Sequence, residues 1–238
     1  MPKHPLRKNG FSPPIKRDQI LGALNVISIT IAYVVMCVCV ARVPEDEDDV
    51  VTVAIATHGA AFIVTLMLWI SAEMIDPASE GSCGRLPCYR HTESRYDREM
   101  GKKIPGLDHH CKWLGTAIGS RNYGIFFSLI CSLFVQYTIQ LTFGILFLII
   151  YGDDMPWWGI MLIVFHELWC LTCLYFDGNL VVFHIQLMRQ GKTSYEWLLE
   201  QARKRTAKRR EERSRKQQQK DASSEPAKVD VEMPPPDK

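Results

Sequence analysis

The sequence lacks charged side chains over long stretches. No Asp, Glu, Lys or Arg occurs from Gln19 to Ala41 or from Asn122 to Gly152, and from Val50 to Ala72 the only candidate for a charge is His58. Helices of soluble domains expose a charged or polar face, which these stretches do not have. At about 1.5 Å per residue, each stretch is long enough to cross a hydrocarbon core of about 30 Å. The pattern therefore argues against a soluble globular protein.

These stretches and a fourth apolar block predict an all-α multi-pass membrane protein with four transmembrane helices. The predicted spans are 19–41, 50–72, 122–152 and 156–187. The remaining segments are a basic arm at 1–18, a polar loop at 73–121 between helices 2 and 3, a basic tail at 188–220 and a disordered tail at 221–238.

Positive charge is missing from the short connector after the first span. Arg42 is followed by an acidic run to Asp49, whereas the 73–121 loop and both ends of the chain are rich in Lys and Arg. The positive-inside rule therefore places both termini and that loop in the cytosol. No signal-peptide cleavage site is expected, because the first apolar block is too long and has no small-residue site after it. The basic tail is expected to be a solvated helix near an anionic leaflet, and the four spans argue against a nucleic-acid role.

Cysteine is scarce in the polar segments. Of eight cysteines, five fall inside apolar runs, where they are expected to pack as small apolar side chains: Cys37, Cys39, Cys131, Cys170 and Cys173. The other three are Cys83, Cys88 and Cys111 in the predicted cytosolic loop. Since the cytosol is reducing, no disulfide framework is expected.

What the loop does contain is Asp108-His109-His110-Cys111, directly before the third apolar run. A carboxylate, an imidazole and a thiol are the components of an activated nucleophile: the imidazole takes the thiol proton, the carboxylate orients the imidazole, and the thiolate attacks. Asp108, His109 and Cys111 are therefore the candidate catalytic residues.

This stretch resembles the signature of the DHHC-type protein S-acyltransferases, the palmitoyltransferases. The similarity continues through Trp113, Gly119, Asn122 and Phe126, and it includes Asp76-Pro77 after the second span and Thr193-Ser194-x-Glu196 after the fourth. The resemblance implies supporting rather than catalytic roles for six residues: His110, Trp113, Asn122, Asp76, Thr193 and Glu196. Thr193 and Glu196 also form a capping box for a following helix.

The resemblance implies transfer of a long-chain fatty acyl group, palmitoyl above all, from acyl-CoA to cysteines of protein substrates through an acyl-Cys111 intermediate. The expected partners are palmitoyl-CoA as the acyl donor, proteins with membrane-proximal cysteines and the lipid bilayer. The expected location is an endomembrane, in the Golgi or endoplasmic reticulum, or the plasma membrane.

The zinc ligands that the family carries in this loop are mostly replaced here. Counting back from the tetrad, Cys83 falls on the first ligand position, and Ala117 replaces the cysteine six residues after Cys111. The other ligand positions hold Leu86, Tyr96, Asp97, Met100 and Lys103. Two ordinary tetrahedral zinc sites cannot be built from this set, so zinc is doubtful. Weak candidates for one improvised site are Cys83, Cys88, His91 and His110.

Two alternatives to an active transferase stay open at the level of sequence. Loss of the zinc ligands favours a weak or inactive family member that scaffolds or regulates another acyltransferase, since a nucleophile needs a rigid support. His166 and Glu167, within the fourth span, raise the possibility of a small transporter with a proton or ion path. His58 is expected to form a hydrogen bond between helices. His184 and Asp177, near the cytosolic end of the fourth span, are expected to be within reach of the headgroup region.

Overall fold

The computed structural model describes residues 6–42, 49–79, 89 and 91–224, with side chains to residue 220. Cys83, Cys88 and most of the predicted disordered tail lie outside the described residues. The elements in chain order are α1 (Arg17–Val40), α2 (Asp49–Met74), β1 (Ser94–Asp97), β2 (Lys102–Pro105), β3 (His109–Cys111), β4 (Thr116–Ile118), α3 (Tyr123–Tyr151), α4 (Trp157–Gln190) and α5 (Ser194–Ser224).

Four of these helices, α1 to α4, are long and apolar enough to span a membrane. Helix α3 packs against both α2 and α4, and α1 packs mainly against α4. The prediction of a mostly helical, four-span membrane protein is thereby confirmed. The prediction did not include the two β-hairpins in the loop between α2 and α3.

Helix α4 ends abruptly, and this ending determines where the following residues lie. Gly191 has φ 60°, and its N–H donates to the carbonyl of Met188 at 3.2 Å, while the N–H of Lys192 donates to Leu187 at 3.1 Å. This is the Schellman arrangement, which requires a left-handed residue and hence favours glycine. The chain therefore turns at once toward Ser194 instead of continuing along the α4 axis.

The loop is built from two antiparallel hairpins, β1 with β2 and β3 with β4. In the first, Arg95 pairs with Ile104; in the second, His110 pairs with Ala117. Between the hairpins lies a small apolar cluster of fully or nearly fully buried side chains: Met100, Ile104, Leu107 and Ala117. Packing of these side chains stabilises the two hairpins against each other.

The segment before α1 runs along this loop. The N–H of Arg7 donates to the carbonyl of Met100 at 3.1 Å, and the N–H of Gly10 donates to that of Glu73 at 2.8 Å. The Arg7 side chain is buried, with its guanidinium bound to the carbonyls of Ser12 and Gly10 at 3.1 Å each. The described part of the basic arm before α1, from Leu6 to Lys16, is therefore irregular, as its prolines predict, and is also packed against the loop.

The chain divides into two units, residues 1–195 and 196–238. In the second unit the helix α5 exposes every side chain from Ala202 to Lys220. Lys204 forms an ion pair with Glu200 at 2.7 Å, one helical turn earlier. A helix that is polar on all sides has no apolar face to bury, which fits the predicted solvated basic helix.

Candidate active site

The short strand β3 separates the two histidines of the tetrad. Alternate residues of a strand point to opposite faces, so His109 and Cys111 share one face and His110 points to the other. The N–H of Asp108 donates to the carbonyl of Ile118 at 2.8 Å, which extends the hairpin by one residue. The backbone thus brings an imidazole and a thiol together and turns the neighbouring imidazole away.

Asp108 is held at both carboxylate oxygens. Its side chain is 1 % exposed; Oδ2 accepts from His109 Nδ1 at 2.8 Å, and Oδ1 accepts from the backbone N–H of Ser194 at 2.8 Å. Hydrogen bonds to a carboxylate are stronger than neutral ones and also fix its orientation. Ser194, the first residue of α5, therefore positions the carboxylate that positions His109.

The charges of this pair support each other. Burial disfavours the charged form of His109, but the hydrogen bond to Asp108 and the interaction with the Cys111 thiol outweigh it and raise the pKa of His109 to about 9. Burial likewise opposes ionisation of Asp108, yet the hydrogen bonds from His109 and Ser194 hold its pKa below the usual value. The pair therefore favours the protonated form of His109 at neutral pH.

Cys111 lies at the end of β3 with 8 % of its surface exposed. It belongs to an apolar cluster below the loop, together with Ala72 of α2 and Phe126 and Ile130 of α3. The cluster brings the thiol to the ends of the membrane helices. An electrophile on an apolar chain could reach the sulfur from the membrane side.

A second histidine lies beside the pair. His184 of α4 is 1 % exposed, and its ring centroid is 5.8 Å from that of His109. Its Nδ1 is hydrogen-bonded to the hydroxyl of Tyr123 at 3.0 Å. The expectation that His184 reaches the headgroup region is wrong, because the bend after α4 places the loop over this end of the helix and encloses the imidazole.

One possible metal-ligand atom from each of Asp108, His109 and His184 lies within 4.8 Å of the other two, close enough for a metal ion in principle. Both oxygens of Asp108, Nδ1 of His109 and Nδ1 of His184 already take part in protein hydrogen bonds. A metal bound to any of these four atoms would have to displace one of the hydrogen bonds. The arrangement fits proton holding better than metal binding.

Asn122 and Trp113 support the hairpin at its two ends. The buried Asn122 side chain accepts from the N–H of Gly119 at 2.9 Å and donates to the carbonyl of Ala117 at 3.0 Å, so it holds the exit of β4. The ring of Trp113 lies against Gly22 of α1, where an added Cβ would approach it to 2.7 Å. Both contacts restrict movement of the segment that carries Cys111.

Asp76 braces the opposite side of the loop. Its carboxylate accepts from Lys102 Nζ at 2.7 Å, and its carbonyl accepts from Arg121 Nη1 at 3.1 Å. Thr193 is buried next to Ser194, and Glu196 lies in the first turn of α5. The supporting roles of these three residues stay predictions.

In the described part of the loop, residues at or near the family's zinc positions make other contacts. His110 Nδ1 is hydrogen-bonded to Asp97 Oδ2 at 3.2 Å, and His91 packs its ring against Tyr89 at a centroid distance of 5.0 Å. The positions of Met100 and Ala117 belong to the apolar cluster. Among the described residues, no set of four zinc donors surrounds His110. These residues therefore do not fit the family's two sites. Cys83 and Cys88, two of the weak zinc candidates, lie outside the described residues.

Asp97 is the hydrogen-bond partner of His110. Burial disfavours its charge, but hydrogen bonds from His110 and from the N–H of Met100 at 2.7 Å outweigh this effect and lower its pKa. A carboxylate and imidazole thus occupy two positions where the family has zinc ligands. The pair links the second hairpin to the first.

Sequence reasoning missed three contributors to the site. Ser194 acts through its backbone N–H, which leaves no side-chain signal. Asp97 was noticed only as a residue that is not cysteine. His184 did carry a signal, an imidazole within an apolar helix, but the direction of the chain after Gly191 was needed to interpret it.

Comparison with known proteins follows the same lines. The sequence model of the DHHC palmitoyltransferase family matches residues 78–201, just over half of the chain. Palmitoyltransferase ZDHHC5 of Bos taurus is 28% identical over 116 residues, 48% of this chain and 16% of that protein. Protein S-acyltransferase 8 of Arabidopsis thaliana is 27% identical over 126 residues, 49% of this chain and 30% of that protein.

Palmitoyltransferase ZDHHC8B of Danio rerio is 29% identical over 116 residues, 48% of this chain and 15% of that protein. The chain thus spans less than a third of the length of these relatives. The matched region contains the tetrad, both hairpins, α3, α4 and the bend that carries Ser194. The chain belongs to the DHHC palmitoyltransferase family.

Proposed function

We propose that this protein is a protein S-acyltransferase that moves a long-chain fatty acyl group, palmitoyl first of all, from acyl-CoA to cysteines of other proteins. The observation that carries the proposal is the arrangement of Asp108, His109 and Cys111. The buried carboxylate of Asp108 accepts a hydrogen bond from His109, and the His109 imidazole also interacts with the Cys111 thiol. This is an activated cysteine nucleophile with its orienting group in place.

The first half-reaction forms one thioester and breaks another. The Cys111 thiolate attacks the thioester carbon of acyl-CoA, the bond between that carbon and the CoA sulfur breaks, and His109 gives its proton to the departing CoA thiolate. In the second half-reaction His109 takes a proton from a substrate cysteine. That thiolate attacks acyl-Cys111, and the Cys111 thiolate is regenerated.

The proposed orientation places the loop and both termini in the cytosol, where acyl-CoA and cytosolic cysteines are available. It is supported by the acidic connector after Arg42 and the basic loop. Lys and Arg side chains of the loop would meet the CoA phosphates. The proposed location is an endomembrane or the plasma membrane, with substrate cysteines close to the bilayer surface.

We test the first half-reaction by adding an alkyne-labelled palmitoyl-CoA analogue to membranes that contain the protein. Hydroxylamine-sensitive label is expected on wild type and absent from Cys111→Ser. Cys131→Ser is the matched control, because Cys131 lies in α3 away from the tetrad and should label like wild type. Correctly inserted wild-type protein without label at Cys111 would refute the transferase and leave the scaffold interpretation.

We further propose that the loop holds its fold without zinc, through the Met100 cluster and the Asp97 and His110 pair. Treatment of the purified protein with a strong chelator should leave the labelling rate unchanged. Elemental analysis should find less than one zinc per chain. Stoichiometric zinc whose removal stops labelling would contradict this proposal and direct attention to Cys83 and Cys88.

A further inference from the structure

The hydrogen bond that His109 donates to Asp108 restrains only one atom of the imidazole ring. This bond, 2.8 Å long, does not by itself fix the plane of the ring, because the side-chain torsions of His109 still allow the ring to turn. Such a turn would move the remaining ring nitrogen away from Cys111. A general acid or base works only within hydrogen-bond reach of its partner, so something else has to fix the plane of this ring.

Two rings from the membrane helices meet the His109 ring. Phe126 of α3 contacts His109 edge-on at a centroid distance of 5.1 Å and a plane angle of 70°. His184 of α4 lies 5.8 Å from His109 at 45°, and it also meets Phe126 at 5.1 Å and 70°. The three rings form one cluster in which each contacts the other two.

The orientation of His184 is itself determined by a hydrogen bond to Tyr123. Tyr123 is 1 % exposed, its hydroxyl bonds His184 Nδ1 at 3.0 Å, and its ring stacks on Tyr89 at 3.9 Å. Tyr89 in turn donates its hydroxyl to the carbonyl of Gly106 at 2.8 Å, two residues before Asp108. A continuous set of contacts thus runs from the loop through α3 to the imidazole on α4.

An imidazole at this position needs an explanation beyond packing. A polar ring in an apolar helix is unfavourable unless it is hydrogen-bonded, and an aliphatic or phenyl side chain would fill the same volume without that requirement. We propose that His184, held by Tyr123, is a positioning residue that fixes the plane of the His109 ring so that it faces Cys111. This inference rests on the proposed acyl transfer through Cys111.

The proposal predicts a selective loss of rate. In His184→Phe the rate of acyl-Cys111 formation should fall roughly 10- to 100-fold, as expected when a catalytic group loses its support. The apparent KM for palmitoyl-CoA should stay within about twofold, since a positioning residue acts in the transition state more than in binding. Tyr123→Phe removes one hydroxyl and should lower the rate roughly 3- to 10-fold, the value of one hydrogen bond.

A rescue experiment separates positioning from folding. His184→Ala leaves a space of imidazole size beside His109, and added imidazole should restore part of the labelling rate in this variant. His58→Ala serves as the control, because His58 is also a buried membrane histidine but bonds Gln140 instead of the tetrad. It should label at the wild-type rate without imidazole.

The outcomes are distinguishable. Wild type that takes no label at Cys111 defeats the proposed function itself. Wild type that labels, together with His184→Phe and Tyr123→Phe at the wild-type rate, overturns the positioning role. A slow His184→Ala that imidazole does not restore, with an altered KM, would also overturn it and assign His184 a purely structural contribution.

Discussion

The protein contains two pairs in which a histidine stands next to a carboxylate in the chain, and they differ in everything beyond the pair. In the loop, His109 Nδ1 meets Asp108 at 2.8 Å; within α4, His166 Nδ1 meets Glu167 at 2.9 Å. The hydrogen bonds are nearly the same. The contacts of the other polar side-chain atoms differ between the two pairs.

In the loop pair, the second carboxylate oxygen and the imidazole ring both make further contacts. The second oxygen of Asp108 accepts from Ser194, and the imidazole of His109 contacts the Cys111 thiol. In the α4 pair, Nε2 of His166 and the second oxygen of Glu167 are buried without a hydrogen-bond partner among the described residues. A histidine and a carboxylate alone are therefore not a catalytic unit. A nucleophile and a second restraint on the carboxylate make the difference.

The largest expected contrast is in the rate of acylation. Asp108→Asn keeps the shape of the side chain but removes the charge that supports the imidazolium, and it should lower the rate of acyl-Cys111 formation ~10²- to 10⁴-fold. Glu167→Gln should change it by less than roughly twofold, because the two sites share no partner. Labelling time courses with matched protein amounts measure both. A rate that depends on Glu167 and not on Asp108 would contradict the assignment of the loop pair to acyl transfer.

The loop pair should also set the response to pH. With the pKa of His109 raised to about 9, the imidazolium is present at neutral pH and is lost as the pH rises through that value. Labelling should therefore hold between pH 7 and about 9 and fall roughly tenfold per further unit, as the protonated fraction does. Short labelling times limit hydrolysis of the donor. A rate that still rises above pH 9 would show that neutral imidazole is the active form.

The comparison also shows what a sequence can predict. The four spans followed from missing charge, and the tetrad followed from residue types and spacing. His58 was expected to bond between helices and does so with Gln140 at 2.8 Å. The order of helices, loop and candidate site could therefore be predicted from the sequence.

Contacts between distant segments were not accessible in the same way. Asp108 and Ser194 are 86 positions apart and meet through a backbone N–H that every residue except proline possesses. The sequence shows Met100 and Ala117 at positions where the family has zinc ligands, and from this only the loss of ligands could be predicted. Only the structure shows that these side chains form a cluster of their own. The proposal of a loop that folds without zinc rests on this packing, which leaves no motif in the sequence.

The smallest expected effect concerns the α4 pair. Gly144 of α3 faces Glu167 so closely that an added Cβ would overlap its carboxylate, whereas Gly59 of α2 has nothing within 4 Å. Gly144→Ala should force Glu167 to turn and give up the bond to His166. It should therefore be less stable than Gly59→Ala by about 1 kcal/mol, the value of one hydrogen bond. Thermal unfolding in detergent measures this difference.

A double variant makes the assignment specific. When Glu167→Ala is combined with Gly144→Ala, the overlap is gone, and the second change should be neutral or slightly stabilising because alanine favours helix over glycine. Cys111 labelling should remain at the wild-type rate in all of these variants. Equal destabilisation by Gly144→Ala with and without Glu167 would show that another neighbour, and not the carboxylate, requires the glycine.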